Sequence, residues 1–300
     1  MVADPLRSLT RLPKTPPAER DALDACRRLA RDHYENFTVV SRLAPRQMRT
    51  ALSVVYAYCR TVDDIGDESI GDRPALLDRY QAELDAAYRG EARHWVLVAL
   101  QAVLRDVALP REPFERLIEA NRRDQRTARY ATFQDVLDYC TYSANPVGRL
   151  VLALYGIHDP QLGAMSDATC TALQLANFWQ DVKRDRANGR IYLPQQDMAE
   201  YGVPEADLDA DVATPAFRRL MAFQVDRARA FFADGLPLLD RVRGHLRVDL
   251  ALFSCGGLAI LDRIESLGFD TLRERPELAG WDKARIAWTA LRPWRWRRWI

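Results

Sequence analysis

The chain has 300 residues, 48% of them hydrophobic, enough for a substantial core in one large domain or two small ones. Its 43 basic and 42 acidic residues leave a formal charge of +1, without the basic excess of a nucleic-acid binder, so no nucleic-acid partner is expected. Five widely spaced cysteines (Cys26, Cys59, Cys140, Cys170, Cys255) form no C-x-x-C pair; neither a disulfide framework nor a zinc site is indicated, and a reducing cytoplasm fits best.

Residues 1–18 carry charges and prolines where a signal peptide needs an apolar core, and are predicted to be a disordered leader. Beyond them apolar residues recur at helical spacing, in runs such as RPALLDRYQAELDAAYRG (73–90) and REPFERLIEANRRDQ (111–125), with no period-2 strand pattern. Punctuation at Pro45, Gly71–Pro74, Gly90, Pro110, Gly156–Pro160, Gly189–Pro194, Pro215 and Gly235–Pro237, among others, marks off roughly ten helices. The expected architecture is all-α, a single domain over residues 19–291 followed by a Trp/Arg-rich tail at 292–300.

The first chemical feature along the chain is YAYCRTVDDIGDE (56–68). Helical spacing stacks Asp63 and Asp67 one turn apart, with Tyr56 and Arg60 further along the same stripe. Like charges at this spacing destabilise an isolated helix by only about 0.2–0.5 kcal/mol, but the penalty grows as water is removed, so a buried D-x3-D pair wants a cation. A solvated acidic helix end is the plainer alternative. The pattern returns in LQLANFWQDVKRDRANGRIYLP (173–194), where Gln174, Asn177, Asp181 and Asp185 share one helical face and each offers an oxygen. The residues between them, Leu173, Leu175, Ala176, Phe178 and Trp179, are mostly apolar, so the polar stripe is expected to line a cavity.

Two facing carboxylate stripes suit hard divalent cations, Mg²⁺ above all, which completes its shell with water and substrate phosphates. More than one ion is expected. Arg60 and Arg190 are candidates for the remaining phosphate oxygens. No P-loop, kinase signature, G-x-G-x-x-G or βαβ pattern is present, so neither nucleotide-driven phosphoryl transfer nor a nicotinamide site is indicated. Loss of diphosphate from an allylic carbon, with metals acting as Lewis acids and the cavity sheltering a carbocation, fits better.

Further along, LALFSCGGLAIL (250–261) is too short to cross a bilayer, which takes roughly 20 apolar residues, and is read as a buried helix. The chain ends LRPWRWRRWI (291–300), where Trp294, Trp296 and Trp299 alternate with arginines. That composition suits a headgroup interface, so a peripheral membrane surface is the expected partner of the tail; packing on the domain surface is the alternative. Four scattered histidines, His33, His94, His158 and His245, show neither metal nor triad spacing.

Taken in order, these motifs resemble the squalene/phytoene synthase family, with a match from about residue 20 to about residue 270. The resemblance implies the all-α isoprenoid (terpenoid) synthase fold, a single helical bundle around a central cavity. It implies metal-binding roles for Asp63, Asp67, Asp181 and Asp185, and substrate roles for Tyr56, Arg60, Gln174, Asn177 and Arg190. YCTYSANPVGRL (139–150) resembles the family segment in which a tyrosine, here Tyr142, precedes a small-residue kink in a cavity-lining helix. Pro146 adds a physical point: lacking an N–H, it leaves the Tyr142 carbonyl without its i→i+4 donor in a continuous helix. That carbonyl, or the ring, is expected to face a cation.

The phrases HYENFTVVSRLAP (33–45), YSANPVGRL and ALQLANFWQDVKRD are most similar to the hopanoid-pathway squalene synthase subgroup of HpnC type. This resemblance implies hydroxysqualene synthesis from presqualene diphosphate, with Phe37 at the substrate; the cysteine pattern and the tail composition add the expectation of a cytoplasmic location, peripheral to the inner face of the membrane. Condensing relatives commonly show H-S-[KR]-S-F where this chain has HYENF, and the lost positive charge argues against a second farnesyl diphosphate. Asn145, where related segments often have Gly, offers donor and acceptor to a quenching water. The alternatives are condensation of two farnesyl diphosphates to presqualene diphosphate or squalene, a phytoene-synthase-like condensation, and, in another class, a non-catalytic assembly protein on the same fold.

Overall fold

The computed structural model describes residues 5–10, 12–32 and 44–290. Phe37 and the rest of the HYENF segment lie outside these residues, as does the Trp/Arg tail. The architecture is all-α: among the described residues the only β-type pairing is an isolated parallel bridge between Arg129 and Ile191.

The helix starts follow the expected punctuation. Asp72, Asp159 and Thr214 each cap a helix whose first turn carries a proline, accepting from the N–H groups of Ala75, Gln161 and Phe217. Gly90 ends the Arg73–Arg89 helix at φ 84°, a left-handed conformation that favours glycine. Two further breaks follow, the first without such punctuation and the second with Pro146 in the first turn of the next helix. The Pro160–Gln180 helix gives way at Asp181 (φ −105°, ψ 17°) to a second helix, Val182–Ala187. The Phe133–Ser143 helix stops at Ala144 before Asn145–Leu154 begins, so the helix does not run unbroken through Pro146.

Contacts divide the chain into two compact units where the sequence suggests one domain. The first comprises Met1–Arg126 and Pro146–His158; the second, Thr127–Asn145 and Asp159–Ile300. No linker marks the boundary because the chain passes between units at three points, none of them a change in composition.

In the first unit, Val54, Tyr58, Val62 and Ile65 of the Arg46–Asp67 helix pack with Leu77, Tyr80, Leu84, Leu97, Leu100, Phe114 and Ile118 in one buried core. Leu150, Ala153 and Leu154 complete that core from the returning segment. The Pro5–Thr10 helix also belongs to it, with Leu9 only 1% exposed, so these six residues of the expected disordered leader are ordered by an apolar anchor.

In the second unit, the Pro160–Gln180 helix packs along Pro215–Gly235 and Gly244–Ser266. Their backbones approach closely: a Cβ on Gly235 would stand 2.2 Å from Thr169 Oγ1, and one on Gly257 2.4 Å from the Phe232 ring. By length and composition the Gly244–Ser266 helix is apolar enough to cross a membrane, but 67% of its apolar window is buried within the fold, as expected of a core helix.

Candidate active site

The first stripe lies on the Arg46–Asp67 helix. Asp63 and Asp67 are exposed, and Tyr56 and Arg60 half-buried, at positions that share a face. Although solvent reaches Asp63, enough protein surrounds it that desolvation pushes its carboxyl up to about 7. Asn121 opposes the shift by donating from Nδ2 to Asp63 Oδ1 at 3.3 Å, while the charge of Asp67 adds to it. Burial likewise raises the Tyr56 phenol.

The remaining acids of this motif have a different task. Asp64 is buried, at 9% exposure, and meets Arg60 Nη2 at 2.7 Å; the exposed Glu68 accepts from the same nitrogen at 2.9 Å. Asp64 and Glu68 thus hold the Arg60 guanidinium beside the stripe, and a diphosphate would have to draw Arg60 out of these ion pairs.

A supporting helix sets the stripe in place. Asn121 and Gln125, one turn apart at the end of the Glu112–Asp124 helix, reach across to it, Gln125 Nε2 donating to the Gly66 carbonyl at 3.1 Å. A Cβ on Gly66 would lie 2.0 Å from Asn121 Oδ1, so only glycine admits this amide.

The second stripe runs along the second unit. Gln174, Asp181 and Asp185 are half-buried and Asn177 exposed, while Leu175, Ala176, Phe178 and Trp179 are buried, as the sequence pattern predicts. The kink at Asp181 leaves the helical bonding intact, Asp181 N–H donating to the Asn177 carbonyl at 2.9 Å and Asp185 N–H to that of Asp181 at 2.8 Å. The four positions therefore keep one register across the break.

Asp181 is already occupied. Arg275 grips it with both arms, Nε to Oδ1 at 2.6 Å and Nη2 to Oδ2 at 3.1 Å. Next to it Gln180 Nε2 donates to the Pro276 carbonyl at 2.5 Å, fastening the 275–276 segment to the end of the helix. Asp185 and Arg190 line one small recess with Tyr192 and Leu208, and the Arg190 N–H donates to the Asp185 carbonyl at 2.8 Å. The loop is held by Tyr192, stacked on Phe178 at a centroid distance of 3.8 Å and 8° between planes.

The YCTYSANP segment packs against the helix and loop that carry this stripe. Tyr139 packs at a tilt into the same aromatic group, 6.2 Å from Phe178 and 5.8 Å from Tyr192. Asn145 Oδ1 accepts from Thr171 Oγ1 at 3.0 Å, which fixes the orientation of its amide. Tyr142 is half-buried in the last turn before the Ala144 break.

Among the described residues no three His, Cys, Asp or Glu side chains form a ready-made metal cage. The donor set nevertheless fits Mg²⁺, since each stripe offers two carboxylates and hard oxygen donors, and Mg²⁺ is commonly held by one or two carboxylates plus water and phosphate.

The squalene/phytoene synthase family pattern matches residues 30–282. The chain belongs to that family. The match covers most of the sequence and includes both aspartate stripes, Tyr142 and Arg275. Phytoene synthases from Thermus thermophilus and Synechococcus elongatus are 32% and 31% identical over 277 and 281 residues, covering 90% and 88% of this chain and 93% and 90% of theirs. The crystal structure of squalene synthase HpnC from Alicyclobacillus acidocaldarius is 48% identical, covers 89% of this chain and 99% of its own, and superposes with a TM-score of 0.80. A dehydrosqualene synthase crystallised with ligand, 21% identical and covering 96% of this chain and 98% of its own, shares the fold at a TM-score of 0.84. This squalene/phytoene synthase relative has the all-α isoprenoid synthase fold, and its family implies prenyl diphosphate substrates.

Four residues escape a motif-based reading: Asn121, Gln125 and Gly66 behind the first stripe, and Arg275 on the second. The i,i+4 amide pair Asn121/Gln125 was visible as a pattern, but its target lay 58 residues away from Asn121. Arg275 is separated from Asp181 by 94 residues, with no spacing to betray it.

Proposed function

We propose that this enzyme converts presqualene diphosphate to hydroxysqualene, releasing diphosphate. The observation that carries the reading is the second stripe with its Arg190 recess, in a chain 48% identical to a squalene synthase of HpnC name. Asp63 and Asp67 in the first unit, and Asp181 and Asp185 in the second, would hold Mg²⁺. When bound, Mg²⁺ supplies Lewis-acid neutralisation of the departing diphosphate.

The chain's own residues do the rest. Arg60 and Arg190 contact diphosphate oxygens, with Gln174 and Asn177 as neutral donors. The C–O bond to diphosphate breaks with its electron pair leaving on oxygen. The Tyr142 ring presents its negative face to the carbocation as the cyclopropane rearranges, and Tyr56 on the first stripe is the other candidate ring for that task. Water held by the Asn145 amide then forms the new C–O bond and loses its proton. This sequence consumes one water and needs no hydride donor, whereas squalene itself would need one.

A second reading, a phytoene-synthase-like condensation, is favoured by the roughly one-third identity to phytoene synthases. Product analysis by mass spectrometry decides between them, with purified enzyme and Mg²⁺ given presqualene, farnesyl or geranylgeranyl diphosphate separately. Hydroxysqualene from presqualene diphosphate alone supports the first reading. Turnover of farnesyl diphosphate makes the enzyme a condensing synthase, and phytoene from geranylgeranyl diphosphate establishes the second reading. The greasy substrate and product also suit the proposed cytoplasmic location with the 292–300 tail against a membrane; vesicle binding unaffected by removing the tail tryptophans would refute that contact.

A further inference from the structure

Five of the seven tryptophans, Trp281, Trp288, Trp294, Trp296 and Trp299, fall in the last 20 residues. The same stretch holds six basic residues against one acid, a net +5, whereas the chain as a whole is +1 and its other 280 residues are therefore −4. The first half of this stretch is folded.

The Gly280–Ala290 helix buries one face through Ile286, which packs with Cys255 and Ala259 of the Gly244–Ser266 helix beside Leu252 and Leu278. Its other face presents Trp281, Arg285 and Trp288 at i, i+4 and i+7, with Trp281 68% and Trp288 53% exposed. The Arg285 guanidinium lies 5.7 Å from the Trp281 ring centre. The one acid, Asp282, caps the helix start, its Oδ2 accepting from the Ala279 N–H at 3.0 Å while its Oδ1 lies 3.7 Å from Arg285 Nη2 and offsets part of that charge. Two exposed indoles flanking a guanidinium, on a helix anchored from behind, combine an apolar body with a polar rim as an interfacial segment does.

We propose that the Trp281–Arg285–Trp288 face of this helix is a docking surface for an anionic lipid bilayer. The proposal deepens the reading of the tail as an interfacial segment by adding the folded helix that precedes it. Charge selects this occupant. The tail brings four arginines and no acid, so folding it back would set cations against Arg285. A second copy meeting the same face would likewise oppose +5 with +5. An anionic headgroup layer complements both segments and takes the indoles at its interface.

The test uses full-length protein and sedimenting vesicles of phosphatidylcholine with about one-third phosphatidylglycerol, beside vesicles of phosphatidylcholine alone. Trp281→Ala with Trp288→Ala is expected to lower partitioning about tenfold while the tail stays intact, and Arg285→Glu to lower it several-fold in a salt-dependent way. A second measurement needs no change in the helix. In a Trp294→Ser, Trp296→Ser, Trp299→Ser variant, Trp281 and Trp288 are the only exposed indoles left, because Trp95 and Trp179 are 5% and 0% exposed. Quenching of that variant by lipids brominated near the headgroup is expected. Vesicle binding that is lost with the tail tryptophans and indifferent to Trp281 and Trp288 would overturn the inference while keeping the tail contact. Binding indifferent to the tail substitutions but lost in the helix variant would refute the tail contact alone. Absence of binding by the unaltered protein, or a dimer that Trp281→Ala with Trp288→Ala dissociates without vesicles, would overturn the inference.

Discussion

Asp63 keeps one amide donor, faces water and has its carboxyl pushed up to about 7 by desolvation, with the Asp67 charge adding to the rise. Asp181, at the matching place in the second D-x3-D pair, is gripped by both arms of a guanidinium. The two stripes share a spacing and differ in how their charge is held. In the first unit two carboxylates stand together, with Arg60 of the same stripe turned to Asp64 and Glu68 and Arg73 donating to the Asp67 carbonyl. In the second unit the protein supplies the cation itself. Identical motifs therefore need not be equally ready for metal: the first stripe must lose a proton, and the second must lose Arg275.

The largest effect expected from this contrast is on turnover. Asp63→Asn and Asp185→Asn should each lower kcat/KM for presqualene diphosphate by about 10³-fold, several kcal/mol of leaving-group stabilisation. Asp181→Asn should match them if diphosphate draws Arg275 off Asp181. A loss under about tenfold for Asp181→Asn alone would show that the fork is permanent and that Asp181 is structural.

Next in size is a pH effect confined to the first stripe. If Mg²⁺ binds there as proposed, it has to displace the Asp63 proton, so affinity measured by calorimetry should fall about tenfold per pH unit below 7 and level off above it. Removing the Asn121 donor, which holds the Asp63 value down, should move that break to higher pH in Asn121→Ala. The stability consequence has the opposite sense. A carboxyl raised in the folded state favours folding most at low pH, and that contribution is lost as pH climbs from the ordinary Asp range to about 7. Asp63→Asn should therefore gain stability relative to the unaltered metal-free protein across that window, as denaturant melts at several pH values would show.

Smaller effects concern the supports. Gly66→Ala should cost about 1–3 kcal/mol through overpacking against Asn121. In Gly66→Ala with Asn121→Ala much of that loss should return, a coupling that thermal unfolding can measure. Smallest of all, Arg275→Gln should destabilise by about 1 kcal/mol, since the pair is partly exposed, while tightening Mg²⁺ binding at the second stripe several-fold.

The helical architecture could be read because its signals are local: apolar period, Pro at the first turn, Gly at the end. The stripes were legible for the same reason, since i,i+3 and i,i+4 spacing puts Gln174, Asn177 and Asp181 on one face before any tertiary contact forms. The kink at Asp181 was not, because its i→i+4 bonds persist through a dihedral change that no Gly or Pro announces. Nor were the partners of the stripes. Asn121 and Arg275 look like ordinary helix-surface and loop residues until the fold carries them to carboxylates 58 and 94 residues away. The task of Asp64 and Glu68, holding Arg60, emerges only from the distances.

The interleaving of the two units bears on how the chain is made. Leu150, Ala153 and Leu154 belong to the core of the first unit, yet they follow Thr127–Asn145, which belongs to the second. On the ribosome, a nascent chain ending before residue 146 has the six helices described up to Asp124 in the first unit but lacks the apolar segment that closes their core. Folding of the N-terminal unit must then wait for residues of the other unit to emerge first, and neither unit corresponds to a continuous stretch of gene that could be exchanged or expressed alone.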